Sequence, residues 1–328
     1  MTMRVLVTGG AGFLGQHLCR ELTAQEIFVR ALVRDAPRAA LPSGVEVCEG
    51  DLSDERSMRA ATEGIDVIAH LASRVHVMRD TANDPLAEFR RVNVAGTQLL
   101  ATAATDAGVK HIVFASSVKA IGETSMTPWD STTPAHPVDA YGISKLEAEQ
   151  VLLGMESPNC PAVTVLRFPL LYGPGMKGNM LRLFRAIARG WPVPVAAAEN
   201  ARSMLFVGNA VSALAHVISA DPSRASTGGA SRAFFVADGP AVSTAAIAHE
   251  IADALGATSR IVRLPQRLLR NIARICDPIS GGRSSAMVSR LIGSLVVDET
   301  EFEREYQFTA PFTRRAGLEI TARWFLQT

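Results

Sequence analysis

The chain has 328 residues, with 33 Lys and Arg against 32 Asp and Glu, so its formal net charge is +1. A balance this even gives no electrostatic reason to expect a nucleic-acid partner. Apolar residues make up 48% of the chain and charged residues 20%, a composition that is typical of globular proteins and excludes disorder. The length is too great for one ordinary core and suits two domains, or one large α/β domain with a smaller lobe.

The sequence has no segment that would direct it into or across a membrane. A first strand is predicted from Arg4, which leaves no room for a signal peptide. No apolar run approaches the ~20 residues of a membrane span. The four cysteines lack the C-x-x-C spacing of metal and redox sites. We therefore expect a cytoplasmic protein with reduced thiols, no metal and no integral membrane segment.

Short apolar runs alternate with helical patterns through the first half of the chain. The patterns predict strands at 4–7, 28–33, 45–48, 66–70, 111–115 and 163–168, and helices at 12–24, 85–106 and 141–155. Continuous apolar strands between helices indicate βαβ units, with a sheet that is buried on both faces. The predicted fold class is therefore α/β, a doubly wound parallel sheet of the Rossmann type.

After Phe168 the composition changes, and Pro and Gly cluster at 169–178 and 190–194. A helix is predicted at 208–220, a loop at 223–231, a further strand at 234–236 and a late apolar run at 291–297. We expect residues 1–170, together with part of 203–236, to form a dinucleotide-binding domain. Residues 171–328 would then form a smaller, mixed α/β lobe that binds the substrate.

A glycine-rich turn follows the first predicted strand and opens the first predicted helix. Residues 8–15 read TGGAGFLG and contain the spacing G-x-G-x-x-G. Glycine lets backbone N–H groups approach a pyrophosphate, which then faces the positive end of the helix. The strand–turn–helix context makes this pattern far more specific than the glycines alone. The cofactor-binding residues predicted here are Gly9, Gly12, Phe13, Leu14 and Gly15.

The end of the second predicted strand bears on the choice between NAD(H) and NADP(H). NAD is usually marked there by an acidic residue that binds the ribose 2′-hydroxyl. Here Arg34 occupies the position where a guanidinium would pair with a 2′-phosphate, and Arg38 would assist. Asp35 is the alternative ribose ligand if the strand is one residue longer. The sequence favours NADP(H) and leaves NAD(H) open.

Tyr141 and Lys145 are four residues apart at the start of a predicted helix and therefore share one of its faces. An unperturbed tyrosine has a pKa of about 10, and a nearby ammonium lowers that pKa by favouring the phenolate. Ser116 and Ser117 follow the fifth predicted strand. A hydroxyl there is suited to hydrogen-bond the same substrate oxygen that Tyr141 protonates.

With these motifs in place, the sequence resembles the extended short-chain dehydrogenases/reductases, specifically the nucleotide-sugar epimerase/dehydratase group. The matching pieces cover nearly the whole chain. Besides residues 8–15 they are Gly50-Asp51-Leu52, His70-Leu71-Ala72, Val92-Asn93-Val94-x-Gly96-Thr97, Ser116-Ser117, Tyr141-x-x-x-Lys145, Leu166-Arg167-x-Pro169, Tyr172-Gly173-Pro174-Gly175 and the Phe312 to Phe325 tail.

The resemblance implies a role for each matching residue. Tyr141 would be the general acid–base, Lys145 would bind the nicotinamide ribose, and Ser117 would hold the reacting oxygen. Further cofactor-binding residues implied in this way are Asp51, Leu52, Leu71, Ala72, Asn93, Ser116 and Pro169. Substrate-binding residues would be Arg74, Lys119, Asn179, Arg202 and Arg290. Lys119 has an alternative interpretation as a solvated loop lysine, Asn179 as a helix cap, and Arg202 and Arg290 as surface ion pairs.

The group carries out 4-epimerisation, 4,6-dehydration and ketone reduction at a sugar carbon. Ser117 is followed by Val118 and Lys119, with no carboxylate until Glu123, which argues against dehydration. An epimerase returns the same hydride, whereas a reductase consumes NADPH, so Arg34 favours reduction. Residues 70–78 and 116–119 resemble the corresponding segments of bacterial enzymes in surface-polysaccharide synthesis. Those enzymes reduce UDP-4-keto-6-deoxy-N-acetylhexosamines.

Three other functions stay open. The first is a UDP-glucose or UDP-N-acetylglucosamine 4-epimerase, with a lipid-linked sugar as a possible substrate. The others are reduction of a steroid or flavonoid ketone, which is an apolar substrate, and a non-catalytic cofactor-sensing role. The presence of both Tyr141 and Lys145 disfavours the non-catalytic role.

Two features concern partners. The predicted helices at 85–106 and 141–155 resemble those that pair as a four-helix bundle in dimers of this group, so we expect a homodimer. In the segment 265–276, Leu and Ile alternate with Arg. This pattern indicates either a helix of the lobe or a contact with an anionic membrane.

Overall fold

The computed structural model describes residues 2–75, 84–125, 127–155, 159–196, 200–221, 232–269, 271, 274–275, 288 and 292–328. The predicted loop at 223–231 and Arg290 therefore lie outside the described residues, as do Arg270, Ile272, Ala273 and Cys276 of the segment 265–276. Leu291, at the start of the predicted late apolar run, lies outside them as well.

A seven-stranded parallel sheet forms the centre of the molecule, with the strand order β10-β6-β5-β4-β1-β2-β3. Its strands are β1 (Arg4–Thr8), β2 (Phe28–Val33), β3 (Glu46–Glu49), β4 (Val67–His70), β5 (His111–Ser117), β6 (Ala162–Phe168) and β10 (Arg232–Phe235). The reversal of strand order beside β1 is typical of a doubly wound sheet. The predicted fold class is confirmed.

Two short parallel pairs lie outside this sheet. They are β7 (Leu170–Tyr172) with β9 (Met204–Phe206), and β8 (Pro192–Ala196) with β11 (Arg260–Leu264). The predicted late apolar run forms no strand in its described part. Leu295 and Val297 instead make single bridges, to Arg202 and to Trp129.

The helices of the first half are α1 (Phe13–Ala24), α2 (Glu55–Thr62), α3 (Pro85–Phe89), α4 (Gly96–Asp106) and α5 (Ala140–Leu153). Those of the second half are α6 (Gly178–Ala188), α7 (Val207–Ser219), α8 (Thr244–Leu255), α9 (Thr300–Tyr306) and α10 (Arg314–Leu326). The helix predicted at 85–106 is interrupted: a π-helical turn, Arg90–Ala95, joins α3 to α4.

Alternating residues of β1 pack into cores on opposite faces of the sheet. Val5 and Val7 lie in a core that contains Leu18 of α1 and Leu214 of α7. Leu6 lies in the other core, which contains residues of α2, α4 and α5. Because successive strand side chains point to opposite faces, a sheet covered on both sides requires strands that are apolar throughout.

The second half of the chain contributes to both parts of the molecule. Strand β10 extends the central sheet, and α7 packs against α1. Helix α6 packs against α8 and β8. The division into domains at residue 170 remains a prediction. Within the described residues, no helix has the length and apolar character needed to cross a bilayer.

Candidate active site

A cavity of about 1430 Å³ lies at the carboxyl ends of the sheet strands. Residues that directly follow β1, β2, β4 and β6 line it, as does the last residue of β5. In doubly wound folds this edge of the sheet is where ligands bind. The predicted residues that line the cavity are Gly9, Gly12, Phe13, Leu14, Gly15, Arg34, Asp51, Leu52, Leu71, Ala72, Arg74, Ser116, Ser117, Lys119, Tyr141, Lys145, Pro169, Asn179 and Arg202.

The glycine-rich turn has the geometry needed to approach a phosphate group. Gly9 has φ +70°, and a Cβ there would lie 2.9 Å from the Cα of Ala72, so no other residue fits without strain. Gly12 is the N-cap of α1 and makes no side-chain cap hydrogen bond. The first-turn N–H groups of α1 are thus left for another acceptor, and residues 12–15 line the cavity. These residues fit the pyrophosphate of a dinucleotide.

Arg34 and Asp35 differ in their relation to the cavity. Arg34 is exposed and lines the cavity, whereas Asp35 does not line it. The Asp35 carboxylate lies 3.4 Å from the Arg38 guanidinium. Asp51, which also lines the cavity, accepts hydrogen bonds from the backbone and hydroxyl of Ser53, and these hold the pKa of its carboxyl below the usual value.

Helix α5 begins beside the end of β5, which places Tyr141 next to Ser117. Asp139 caps the helix, and its Oδ1 accepts from the backbone N–H of Gly142 at 2.7 Å. A Cβ at residue 142 would lie 2.3 Å from the carbonyl oxygen of Lys119. Only glycine allows the helix to approach this loop so closely. The Ser117 hydroxyl lies close enough to the Tyr141 phenol to lower its pKa.

Burial controls the protonation of Tyr141 and Lys145. It raises the pKa of Tyr141 to about 12, against the opposing effect of the Ser117 hydrogen bond. Burial also lowers the pKa of Lys145 to about 7, while the Glu149 carboxylate acts in the opposite direction. The ammonium donates to the carbonyl of Ala115 at 2.7 Å and lies 3.8 Å from the centre of the Phe114 ring. In the protein alone, therefore, the pKa of Tyr141 is raised on balance, because desolvation of the phenol outweighs the effects that favour the phenolate.

A family model described as the NAD dependent epimerase/dehydratase family matches residues 5–227. The chain belongs to this family. The resemblance stated from the sequence is therefore confirmed, and the chain is an enzyme of the NAD-dependent epimerase/dehydratase type.

Three known proteins illustrate how far the similarity of this chain to the family extends. A UDP-glucose 4-epimerase of Vibrio cholerae is 33% identical over 332 residues, covering 100% of this chain and 97% of that protein. An N-acetyl-alpha-D-glucosaminyl-diphospho-ditrans,octacis-undecaprenol 4-epimerase of Escherichia coli O157:H7 is 27% identical, covering 99% and 96%. The structure of MoeE5 in complex with UDP-glucuronic acid and NAD superposes with a TM-score of 0.78 at 26% identity, covering 99% of both chains.

In this epimerase/dehydratase family member, a buried chain of hydrogen bonds starts at Thr8, at the end of β1. The Thr8 hydroxyl accepts from the backbone N–H groups of Leu71 and Ala72, so its own hydrogen is donated to His70 Nδ1 at 2.7 Å. The ring therefore carries its hydrogen on Nε2, which donates to the Thr97 hydroxyl at 2.9 Å. Burial lowers the pKa of His70 to about 3, so the imidazole is neutral.

Asn93, in the π-helical turn, continues this chain to Tyr141. The Thr97 hydroxyl donates to the backbone carbonyl of Asn93 at 2.6 Å. The Asn93 amide donates to the Ser144 hydroxyl, which donates in turn to the backbone carbonyl of Tyr141. The amide oxygen accepts from the backbone N–H of Arg74 at 2.7 Å. Asn93 was predicted to bind the cofactor, but it is buried and does not line the cavity, because its amide is occupied in joining this loop to α5.

Ser116 also differs from its predicted role. Its hydroxyl donates to Glu149, which forms a buried ion pair with Arg167 at 2.7 Å. Only Ser117 presents a hydroxyl to Tyr141, because neighbouring strand residues point to opposite faces. Ser116 lines the cavity while its hydroxyl is engaged within the protein.

Lys119 was predicted to bind the substrate, with a solvated loop lysine as the alternative. In the structure its ammonium forms ion pairs with Glu123 and Asp139 and is only partly exposed. It therefore braces the carboxylate that caps α5, and its charge is already compensated by the protein. Lys119 is therefore not a solvated loop lysine, and because it lines the cavity its contact with the substrate stays a prediction.

The remaining predicted substrate residues lie on three different segments. Asn179 is exposed in the first turn of α6 and is not its cap, since that position belongs to Lys177. Arg202 donates to the Gly293 carbonyl at 3.0 Å and lines the cavity. The Arg74 guanidinium lies over the Phe89 ring at 5.4 Å and also lines it. Arg290 lies outside the described residues.

The sequence interpretation missed several cationic residues of the cavity wall. Arg91, in the π-helical turn, lines the cavity close enough to Asp51 to act on its carboxylate. Helix α6 adds Arg182 and Arg185, and Arg189 with Trp191 follows it. The spacing of Arg182, Arg185 and Arg189, three and four residues apart, was the available signal for one helical face.

Proposed function

We propose that this enzyme uses NADPH to reduce the C4 ketone of a UDP-4-keto-6-deoxy-N-acetylhexosamine in surface-polysaccharide synthesis. The observation that supports it most is the difference between Arg34 and Asp35. An exposed guanidinium at the end of β2 lines the cavity, and the neighbouring carboxylate pairs with Arg38 outside it. That arrangement favours a cofactor with a 2′-phosphate, and a net reductant is needed by a reductase.

The residues of the chain suit this reaction. The glycine-rich turn and the start of α1 would hold the pyrophosphate, Arg34 the 2′-phosphate, and Lys145 the nicotinamide ribose. The cofactor, when bound, supplies the hydride that C4 receives. Ser117 would hold the ketone oxygen, and Tyr141 would donate the proton that this oxygen takes up. With a pKa near 12, the phenol is protonated at neutral pH, which is the form that a reductase requires.

Two further observations narrow the reaction and the substrate. No carboxylate directly follows Ser117, and Glu123 is already paired with Lys119, which disfavours dehydration. Arg74, Asn179 and Arg202 line the same cavity as Tyr141 and would bind the diphosphate of the sugar nucleotide. An apolar ketone would have no use for these groups.

Cofactor choice is tested by titrating the wild-type protein, Arg34→Ala and Asp35→Ala with NADPH and NADH. Charge-assisted hydrogen bonds contribute about 1.5–3 kcal/mol each, so we expect NADPH to bind roughly 10–100 times more tightly than NADH. Arg34→Ala should weaken NADPH binding by that factor and leave NADH binding nearly unchanged. NADH preference in the wild type, abolished by Asp35→Ala, would contradict the proposal.

The reaction itself is tested by supplying the 4-keto sugar nucleotide together with NADPH. We expect one NADPH to be oxidised for each sugar reduced. The matched assay supplies UDP-N-acetylglucosamine and the cofactor and measures interconversion with its C4 epimer. Epimerisation without net loss of NADPH absorbance would reject reduction as the function.

The second candidate is a 4-epimerase, which is favoured by the 33% identity to the Vibrio cholerae UDP-glucose 4-epimerase over the full chain. The Escherichia coli relative extends this candidate to a sugar linked to a lipid diphosphate. This candidate predicts NAD that stays bound through purification, because the hydride is returned in every turnover.

A further inference from the structure

The charges of this nearly neutral chain are strongly segregated. Residues 175–196 and 256–275 together hold nine of its 33 Lys and Arg and none of its 32 Asp and Glu. The remainder of the chain therefore holds 24 cationic residues against 32 anionic ones. Segments so free of acidic residues are uncommon on ordinary solvated surfaces, where charges of both signs are interspersed.

The fold brings these two segments together on one exposed surface, which we call the basic surface (residues 185–194 and 260–268). Strand β11 pairs with β8 so that Arg260 lies beside Pro192 and Val262 beside Pro194. Helix α6 packs against β8, and the Arg189 guanidinium lies 5.0 Å from the centre of the Trp191 ring. The arginines at 185, 189, 260, 263 and 267 are exposed, and no ion pair to any of them occurs in the described part of the chain.

Apolar side chains lie among these arginines and also face the solvent. Trp191 is 55% exposed, Val262 41% and Leu268 44%. Tryptophan and aliphatic side chains beside arginines are typical of proteins that rest on a bilayer, where the apolar groups enter the headgroup region. A polyanion without an apolar phase, such as RNA, would leave Val262 and Leu268 in water.

The basic surface extends beyond the substrate site. Arg185, Arg189 and Trp191 line the cavity, whereas Arg260, Arg263 and Arg267 do not. A nucleotide sugar in the cavity would therefore account for the first three residues but not for the arginines of β11 and the turn after it.

We infer that the basic surface docks this enzyme onto an anionic lipid bilayer, with the mouth of the cavity beside the membrane. Cationic residues near an anionic membrane each strengthen binding about fivefold. Three of them therefore account for a change of about a hundredfold. This inference does not depend on the proposed reduction, because the arginines that test it, Arg260, Arg263 and Arg267, lie outside the cavity.

Co-sedimentation with vesicles tests the inference. The wild-type protein should bind vesicles of equal parts phosphatidylglycerol and phosphatidylethanolamine, and it should not bind phosphatidylcholine vesicles. Binding should weaken between about 0.01 M and about 0.15 M salt, as the Debye length falls from roughly 30 Å to roughly 8 Å. Failure to sediment with the anionic vesicles at the lower salt concentration would overturn the inference.

The decisive variant is the triple substitution Arg260→Gln, Arg263→Gln and Arg267→Gln. We expect it to lose about a hundredfold in vesicle affinity, with NADPH and NADH binding unchanged as evidence of correct folding. The matched control replaces three exposed arginines of other elements, Arg20→Gln, Arg56→Gln and Arg304→Gln, and should retain binding. Equal losses in the two triple variants would overturn the inference, because they would show only the effect of net charge.

A second variant tests the apolar component. Val262→Ser with Leu268→Ser should weaken binding to anionic vesicles at the higher salt concentration, where insertion contributes more than charge. A single-stranded RNA presented at the same phosphate concentration should bind less tightly than the vesicles. Tighter binding to the RNA, or no effect of the two serine substitutions, would reject a bilayer as the partner.

Discussion

The buried ion pair between α5 and β6 makes Glu149→Gln a sharp test of how the catalytic helix is held. The Glu149 side chain is 1% exposed and accepts from Arg167 and Ser116. The substitution removes the negative charge that compensates the buried guanidinium of Arg167. Leaving one member of a buried ion pair without its partner costs about 3–5 kcal/mol.

That loss is a large part of the roughly 5–15 kcal/mol by which native domains are stable. We expect Glu149→Gln to lower the free energy of unfolding by about 3 kcal/mol, since Gln keeps the shape and part of the hydrogen bonding. Urea unfolding followed by far-ultraviolet circular dichroism measures it. Adding Arg167→Met to Glu149→Gln should recover stability, because the uncompensated guanidinium is then absent.

The same helix offers a matched control two residues earlier. Glu147 pairs with Arg90, whose side chain is 51% exposed. Exposed ion pairs are screened by water and salt, so Glu147→Gln should leave the free energy of unfolding unchanged within error. If Glu149→Gln is no more destabilising than Glu147→Gln, the reasoning about the buried pair is refuted.

Three other predictions concern the phenol, the buried histidines and assembly. Tyr141→Phe should bind cofactor as the wild type does and lose turnover by about 10²–10⁴-fold, and near-full activity would contradict its proposed role. Burial lowers the pKa of His70 to about 3 and of His111 to about 4. Below pH ~6.5, therefore, these two histidines bind protons in the unfolded chain but stay neutral in the folded chain. The free energy of unfolding should then fall by about 1.4 kcal/mol per pH unit and per histidine between pH ~6.5 and ~5, and His111→Gln should reduce that slope. We further expect a homodimer that pairs the α4 and α5 helices, and a monomer at micromolar concentration in sedimentation equilibrium would disprove it.

The sequence predicted the inner strands β1, β4 and β5 well because each is built around a continuous apolar run. It predicted the glycine-rich turn and Tyr141 because their spacing is constrained by local backbone geometry. Helix α2 was missed because it is short and mostly polar, with Met58 and two small residues as its buried contacts. The strand β8 was missed because Pro192 and Pro194 disfavour a strand prediction, and β11 because Arg260 and Arg263 interrupt its apolar pattern.

Side-chain roles were harder to predict than elements. The motif at 116–117 identifies two hydroxyls, but only the strand's twofold alternation decides that Ser117 faces Tyr141 while Ser116 faces Glu149. The ion pairs of Lys119 depend on Asp139, twenty residues further along the chain, so local spacing gave no signal for them. The π-helical turn that orients Asn93 inserts one extra residue into the hydrogen-bonded turns of a helix. A hydrophobic pattern of period 3.6 does not reveal such an insertion.

The hydrogen-bonded chain from Thr8 through His70 and Asn93 to the backbone of Tyr141 has a consequence for kinetics. Its hydroxyl and amide members do not ionise, and its one imidazole has a pKa of about 3. The side chains of this hydrogen-bonded chain therefore keep the same protonation state from mildly acidic to alkaline solution. An inflection in a pH–rate profile over that range therefore does not arise from this hydrogen-bonded chain, whereas Lys145, whose pKa burial lowers to about 7, titrates within it.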